Sequence, residues 1–203
     1  MKQLDTDQTT HAYGIDILHP LHPSIKKLKL DYPTALHGDK VWDSSYLLMD
    51  YLSQNPPKKG AKVLELGCGW GLASIYLNKF YQCEITAVDA DPDVFPYARL
   101  QAEVNSAKIT TRTLRFEDIS EKLIRDFDII IAADVCFWDS LTAVHRQLVD
   151  RAINADIEQI IYTDPCRQPF IELAEYCAQQ HFAQIEEVEL EHARGAIMVI
   201  NNQ

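Results

Sequence analysis

The run Val63-Leu64-Glu65-Leu66-Gly67-Cys68-Gly69-Trp70-Gly71 constrains the fold of this chain more than any other feature. An apolar strand over Lys62–Leu66 carries a carboxylate near its end and passes through three glycines at alternate positions. It then enters a helix near Leu72. Glycine suits such a turn because the backbone must bend sharply and admit a ligand with no Cβ in the way. The next apolar strand, Glu84–Asp89, closes on an acid 24 residues after Glu65, the place of a group that grips ribose hydroxyls. The pattern predicts a nucleoside-cofactor site at the ends of parallel strands.

Composition narrows the classes that can carry such a site. The chain has 203 residues, 47% of them hydrophobic, with few glycines and prolines. It is expected to be one ordinary α/β domain, large enough to bury roughly 70% of its unfolded surface. A net charge of −11 argues against a general affinity for nucleic acid or anionic membrane, both of which need a basic surface. The cysteines at 68, 83, 136, 166 and 177 form no Cys-x-x-Cys pair, which suits free thiols in a reducing cytoplasm. Positions 1–10 are polar, so no secretory signal is expected, and no apolar stretch approaches the ~18 residues of a membrane span. His19 and His22 flank prolines without a cysteine partner, so no metal centre is expected.

Residues 1–40 read as an irregular lead ahead of a cofactor-binding domain over 41–203. His19-Pro20-Leu21-His22-Pro23 is expected to be extended, because each proline pushes its predecessor out of the α region. A helix follows over 39–51, with Val41, Ser45, Leu48 and Leu52 along one stripe, and Asn55-Pro56-Pro57-Lys58-Lys59-Gly60 breaks it. Strands are predicted at Lys62–Leu66, Glu84–Asp89, 109–114, 128–134, Gln159–Asp164, 183–190 and 195–201, with helices at 72–80, 91–105, 140–153 and 169–180. Ile129-Ile130-Ile131 and Ile160-Ile161 are continuous apolar runs, as in strands covered on both faces. The last two strands share only a turn around Ala193-Arg194-Gly195 and should pair antiparallel. The expected fold class is α/β: a Rossmann-like, seven-stranded, mostly parallel sheet with helices on both faces and an antiparallel C-terminal hairpin.

Ligands of an open parallel sheet sit beyond the carboxyl ends of its strands, where Glu65, Asp89, Asp134 and Asp164 fall. Buried acids are costly unless paired, so four in one place point to a site, although helix capping explains Asp164 equally well. The glycines at 67, 69 and 71 depart from Gly-x-Gly-x-x-Gly, with Leu72 where the third glycine belongs. That disfavours a nicotinamide or flavin dinucleotide. Gly-x-Gly-x-Gly after an acidic strand end suits a methionine tail in place of phosphate, so the expected cofactor is S-adenosyl-L-methionine. Asp89 should accept both ribose hydroxyls, with Ala90 beside it. The backbone of Gly67, Cys68 and Gly69 should meet the methionine and ribose, while Glu65 helps hold the cationic amino end. Phe116, which also reads as a core aromatic, is the candidate partner of adenine, and small Ala133 leaves room near the reacting centre.

Three segments resemble the seven-strand protein-lysine methyltransferase group of class I methyltransferases. They are Val41-Trp42-Asp43-Ser44-Ser45-Tyr46-Leu47-Leu48, the glycine run, and Ile131-Ala132-Ala133-Asp134-Val135-Cys136-Phe137, within residues 37–165. The resemblance implies that Trp42 lines the cofactor pocket and that Asp134 borders the target amine. Where that group has Asp-x-x-Tyr, this chain has Phe137 followed by Trp138. The hydroxyl is lost and an aromatic wall for a cation remains. Asp164-Pro165-Cys166-Arg167 resembles an Asp-Pro-Gly-Arg segment of members acting on the electron-transfer flavoprotein β-subunit. Arg167 either binds a substrate carboxylate or locks Asp164.

The expected reaction is in-line attack of a neutral amine on the sulfonium methyl. A lysine, with a pKa of about 10.4, must first lose its proton, and a lone Asp134 favours the charged amine instead. Recognition and orientation are therefore its expected part, with Phe137 and Trp138 desolvating the amine. Three readings compete: a protein N-methyltransferase directed at lysine, a small-molecule N- or O-methyltransferase, and a cofactor-binding protein without transfer activity. The acceptor is expected to be a protein or small molecule, with neither nucleic acid nor membrane as partner and the oligomeric state open. Glu186-Glu187-x-Glu189-x-Glu191 reads as a solvated sheet face that attracts a basic segment only if it borders the substrate entrance.

Overall fold

In the computed structural model, which describes residues 3–4, 8–35 and 38–202, the segment ahead of the glycine run carries regular structure. Gln3–Leu4 (β1), Thr9–Ala12 (β2) and Ile15–Leu18 (β3) form an antiparallel sheet, and Pro23–Asp31 (α1) follows. This corrects the expectation of an irregular lead; positions 1–2, 5–7 and 36–37 of that lead lie outside the described residues. The cause is a two-residue turn: Ala12 pairs with Ile15 across Tyr13 and Gly14, whose φ values are +50° and +75°. Two positive φ angles in sequence match the right-handed twist of a hairpin. Ile15 and Ile17 point into the core. The outer edge of β3 is satisfied by side chains, since Asp16 N donates to Asn105 Oδ1 at 2.8 Å and Leu18 N to Gln101 Oε1 at 3.0 Å. Within the His19–Pro23 stretch His22, before Pro23, is extended with φ of −59° and ψ of 139°. Pro20 and Leu21 lie in a turn closed by His22 N donating to His19 O at 2.8 Å.

Ser44–Gln54 (α2) starts five residues later than the periodicity of the sequence suggests. The chain then alternates: Lys62–Leu66 (β4), Leu72–Tyr81 (α3), Glu84–Asp89 (β5), a 3₁₀ turn at Pro92–Val94, Phe95–Val104 (α4) and Thr110–Thr113 (β6). A second 3₁₀ turn at Phe116–Asp118 and the short Glu121–Ile124 (α5) lead to Ile129–Ala133 (β7). Asp139–Asn154 (α6), Gln159–Asp164 (β8), Gln168–His181 (α7), Gln184–Glu189 (β9) and Arg194–Asn201 (β10) complete it.

The seven strands order as β6-β5-β4-β7-β8-β10-β9. β4, β5, β6, β7 and β8 pair parallel, and β10 pairs antiparallel with both β8 and β9. Alternation along each central strand divides the core. Val63, Ile129, Ile131 and Ile161 pack with α2 and α3, whereas Leu64, Ile130, Ile160 and Tyr162 pack with α6 and α7. Leu64, Ile130 and Ile160 are fully buried, and truncating any of them to alanine should cost roughly 2–5 kcal/mol. The strand order reverses between β4 and β7, so their carboxyl ends diverge and open a crevice there. Glu186, Glu187 and Glu189 are exposed on β9 at the sheet edge. Among the described residues no helix is long and apolar enough to cross a membrane.

Candidate active site

The loop leaving β4 is left-handed at Gly67, Gly69 and Gly71, with φ of +58°, +49° and +70°. At Gly67 a Cβ would come within 2.8 Å of Val135 Cγ1, so glycine is required on both conformational and steric grounds. At Gly69 a Cβ would meet nothing within 4 Å, which leaves its backbone open to a ligand. Gly69 N donates to Asp89 Oδ2 at 3.0 Å, and Asp91 N donates to Asp89 Oδ1 at 3.0 Å. The carboxylate ending β5 is thereby aimed by two backbone amides. Burial raises its pKa and those two hydrogen bonds oppose the rise. Asp91 in turn accepts from Ala35 N at 2.7 Å, and Trp70 Nε1 donates to Gly38 O at 2.8 Å, so the residues ahead of α2 are tied down as a rim.

These elements surround a cleft whose walls are mostly apolar with a few polar groups, as in small-molecule sites. Trp42, Gly67, Gly69, Asp89, Ala90, Phe116, Ala133, Asp134, Phe137 and Trp138 all line it. Two residues expected at the site do not. Glu65 turns its carboxylate away, to the hydroxyl of Ser74, and is buried. Desolvation, with a contribution from the charge of Asp89, pushes its pKa up to about 7 against the hydrogen bonds from Ser74. Cys68 is buried, its thiol pushed well up by desolvation, and its carbonyl accepts from Gly71 N at 2.7 Å. Sequence reasoning missed Gly38, Val94, Leu114, Arg115, Val135 and Leu141 on the walls. Leu114 carries a signal in retrospect, since it ends the predicted strand 109–114, and Val94 lies in the first turn of the helix predicted after Asp89.

At the other end of the cleft Asp134 follows β7 with φ of +63° and is 4% exposed. Ser44 Oγ donates to its Oδ2 at 2.7 Å, and Arg167 Nη2 lies 2.5 Å from its Oδ1. Arg167 also binds the Asp164 carboxylate, so of the two readings of this arginine the structure shows the lock, extended to a second acid. Thr163 Oγ1 donates to Ser44 O at 2.9 Å, which pins the start of α2 to the end of β8. Phe137 packs edge-on to Trp42 with centroids 5.9 Å apart and tilts against Trp138 at 5.9 Å. Arg167 Cζ stands 4.6 Å from the Phe137 ring and Lys40 Nζ 3.8 Å from the Trp42 ring. Phe116 rests on His145 at 4.7 Å, and burial holds that histidine down at about 4.

The family whose description is lysine methyltransferase matches residues 27–181. This chain belongs to that family. Its cofactor is S-adenosyl-L-methionine, and the cleft fits it: a fixed acid for a ribose, an uncovered glycine backbone, and apolar walls at Val94, Leu114 and Phe116 for a base. Among curated relatives, a ubiquinone biosynthesis O-methyltransferase of Xylella fastidiosa is 32% identical over 87 residues, 43% of this chain. The chain matches about a third of that relative's length (35%). Among solved structures, TrmN from Thermus thermophilus matches with a TM-score of 0.62 at 15% identity, covering 78% of this chain and 49% of that one. A Pyrococcus abyssi tRNA (uracil-54, C5)-methyltransferase, crystallised with S-adenosyl-L-homocysteine, gives 0.60 at 18% identity, covering 92% and 42%. At those identities the likeness is one of fold, and it is that of class I methyltransferases.

Proposed function

We propose that this family member N-methylates the side-chain amine of a lysine on a protein acceptor. The observation that carries the reading is the acceptor end of the cleft, where Asp134 stands beside an aromatic wall that already holds two of the chain's own cations, Lys40 on Trp42 and Arg167 on Phe137. A lysine side chain meets there a hydrogen-bond acceptor and faces suited to positive charge. The net charge of −11 further favours a basic protein segment over nucleic acid, and the five free thiols suit a reducing cytoplasm.

When bound, S-adenosyl-L-methionine supplies a sulfonium-activated methyl group. Asp89 accepts the ribose hydroxyls, Ala90 packs beside it, and Phe116 faces the adenine. The backbone at Gly67 and Gly69 meets the methionine portion, and Glu65 acts from beneath, bracing α3 through Ser74. Ala133 leaves the approach clear and Asp134 orients the amine. Trp42, Phe137 and Trp138 exclude water from it, while its proton leaves to solvent. Alignment and desolvation are the protein's whole contribution to such a transfer.

Tritiated S-adenosyl-L-methionine incubated with a cell lysate tests this. Wild type should label a protease-sensitive, nuclease-resistant band, and Asp89→Ala should not. Label confined to an extractable small molecule would instead support a small-molecule N- or O-methyltransferase. That second reading is favoured by the identity with the ubiquinone biosynthesis O-methyltransferase and by the missing hydroxyl at Phe137. Label in RNA would contradict both.

A further inference from the structure

Arg167 is fixed on three sides at the acceptor end. Its backbone N donates to Asp164 Oδ1 at 2.8 Å and its Nε to Asp164 Oδ2 at 3.1 Å. Nη2 lies 2.5 Å from Asp134 Oδ1, and the guanidinium covers the Phe137 ring. The side chains of Asp134 and Asp164 are 5% and 1% exposed, so their charges are shielded little by water. A lone carboxylate beside an incoming amine stabilises its ammonium form and raises its pKa. That opposes a transfer which needs the amine's free lone pair.

We propose that Arg167 is a positioning residue that supplies the counter-charge of Asp134, so that this carboxylate orients the acceptor amine by a hydrogen bond without trapping it as ammonium. The inference rests on the reading above, in which Asp134 borders the transferred methyl. The groups within reach of Asp134 are Ser44 from the start of α2, Cys136 from the loop after β7, and Asp164 with Arg167 from the end of β8 and the loop beyond it. Ser44 is neutral, and burial pushes the Cys136 thiol well up, leaving it uncharged. The balance is therefore struck among two carboxylates and one guanidinium. Without Arg167 the two acids would face each other unscreened, and a substrate ammonium would become their counter-ion.

The test needs no acceptor, so its failure is separable from failure of the lysine reading. Isothermal titration at neutral pH compares S-adenosylhomocysteine with sinefungin, an analogue whose C–NH₃⁺ stands where the donor carries S⁺–CH₃. Arg167→Gln should tighten sinefungin relative to S-adenosylhomocysteine by about tenfold or more, because the ammonium takes over the vacated charge pairing. Asp134→Asn, which keeps the shape of the cleft, should loosen sinefungin relative to S-adenosylhomocysteine by about tenfold, since the carboxylate facing the ammonium is lost while Arg167 stays paired with Asp164. A purely structural arginine would move both ligands together. An unchanged ratio in Asp134→Asn overturns the inference even if Arg167→Gln does not fold, as does an unchanged ratio in a folded Arg167→Gln.

Discussion

Ser44 and Asp134, 90 residues apart in sequence, meet through a 2.7 Å hydrogen bond from Ser44 Oγ to Asp134 Oδ2. The bond joins the first residue of α2 to the end of β7, and both residues are almost wholly buried. It places the helix carrying the resemblance to lysine methyltransferases directly against the acid that follows β7.

Ser44→Ala leaves the largely buried Asp134 Oδ2 without its hydroxyl donor. Loss of a donor to a buried charged acceptor costs about 1–3 kcal/mol. Urea unfolding should show a lower midpoint with an unchanged slope. The variant should still bind S-adenosylhomocysteine, because neither Asp89 nor the glycine loop is touched.

Two glycines with positive φ should respond differently to alanine. Gly67→Ala meets both the left-handed backbone penalty and Val135 Cγ1 at 2.8 Å, whereas Gly60→Ala, at φ of +79°, meets no atom within 4 Å. Gly60→Ala should cost about 1 kcal/mol of stability, and Gly67→Ala more than twice as much together with a loss of cofactor affinity. Thermal melts with and without S-adenosylhomocysteine check both effects.

Buried Glu65 and buried His145 bias the pH dependence of stability in opposite senses. The pKa of Glu65 is raised from 4.5 to about 7, so its contribution is present below pH 4.5 and is lost as pH rises through 7. That of His145 is lowered from 6.5 to about 4, so its contribution is present above pH 6.5 and is lost as pH falls through 4. Each window corresponds to about 3 kcal/mol. Relative to wild type, Glu65→Gln should gain stability as pH rises from 4.5 to 7, and His145→Gln as pH falls from 6.5 to 4. Denaturant titrations of the cofactor-free protein across these windows should give difference slopes of opposite sign; parallel curves would contradict the burial argument.

The parallel core was readable because its signals are local. Ile129-Ile130-Ile131 needs no distant partner to read as a strand buried on both faces, and the bounds of β4, β5 and β8 coincide with the apolar runs. Gly67, Gly69, Asp89, Ala90, Ala133 and Asp134 were readable for the same reason, since they lie at or just past strand carboxyl ends, where topology puts a ligand, whereas Trp42, ahead of α2, was legible only through the family resemblance. Features decided by distant pairing were not. The four-residue strand β3 is held by Gln101 and Asn105, more than 80 positions later. The late start of α2 belongs with Ser44's bond to Asp134 and Thr163's bond to Ser44. Glu65 was expected to reach the cofactor because it lies near the carboxyl end of β4. In an α/β sheet, however, successive side chains alternate faces, and Ser74 on α3 takes its carboxylate.

The most direct measurement is calorimetric titration of the cofactor-free chain with S-adenosylhomocysteine, wild type against Asp89→Ala. Asp89 is aimed by Gly69 N and Asp91 N, and two charge-assisted bonds to a ribose are worth roughly 3 kcal/mol or more. Wild type should therefore bind, and Asp89→Ala should bind at least about a hundredfold more weakly. Absence of heat from wild type, or equal affinity in the two proteins, would contradict the account.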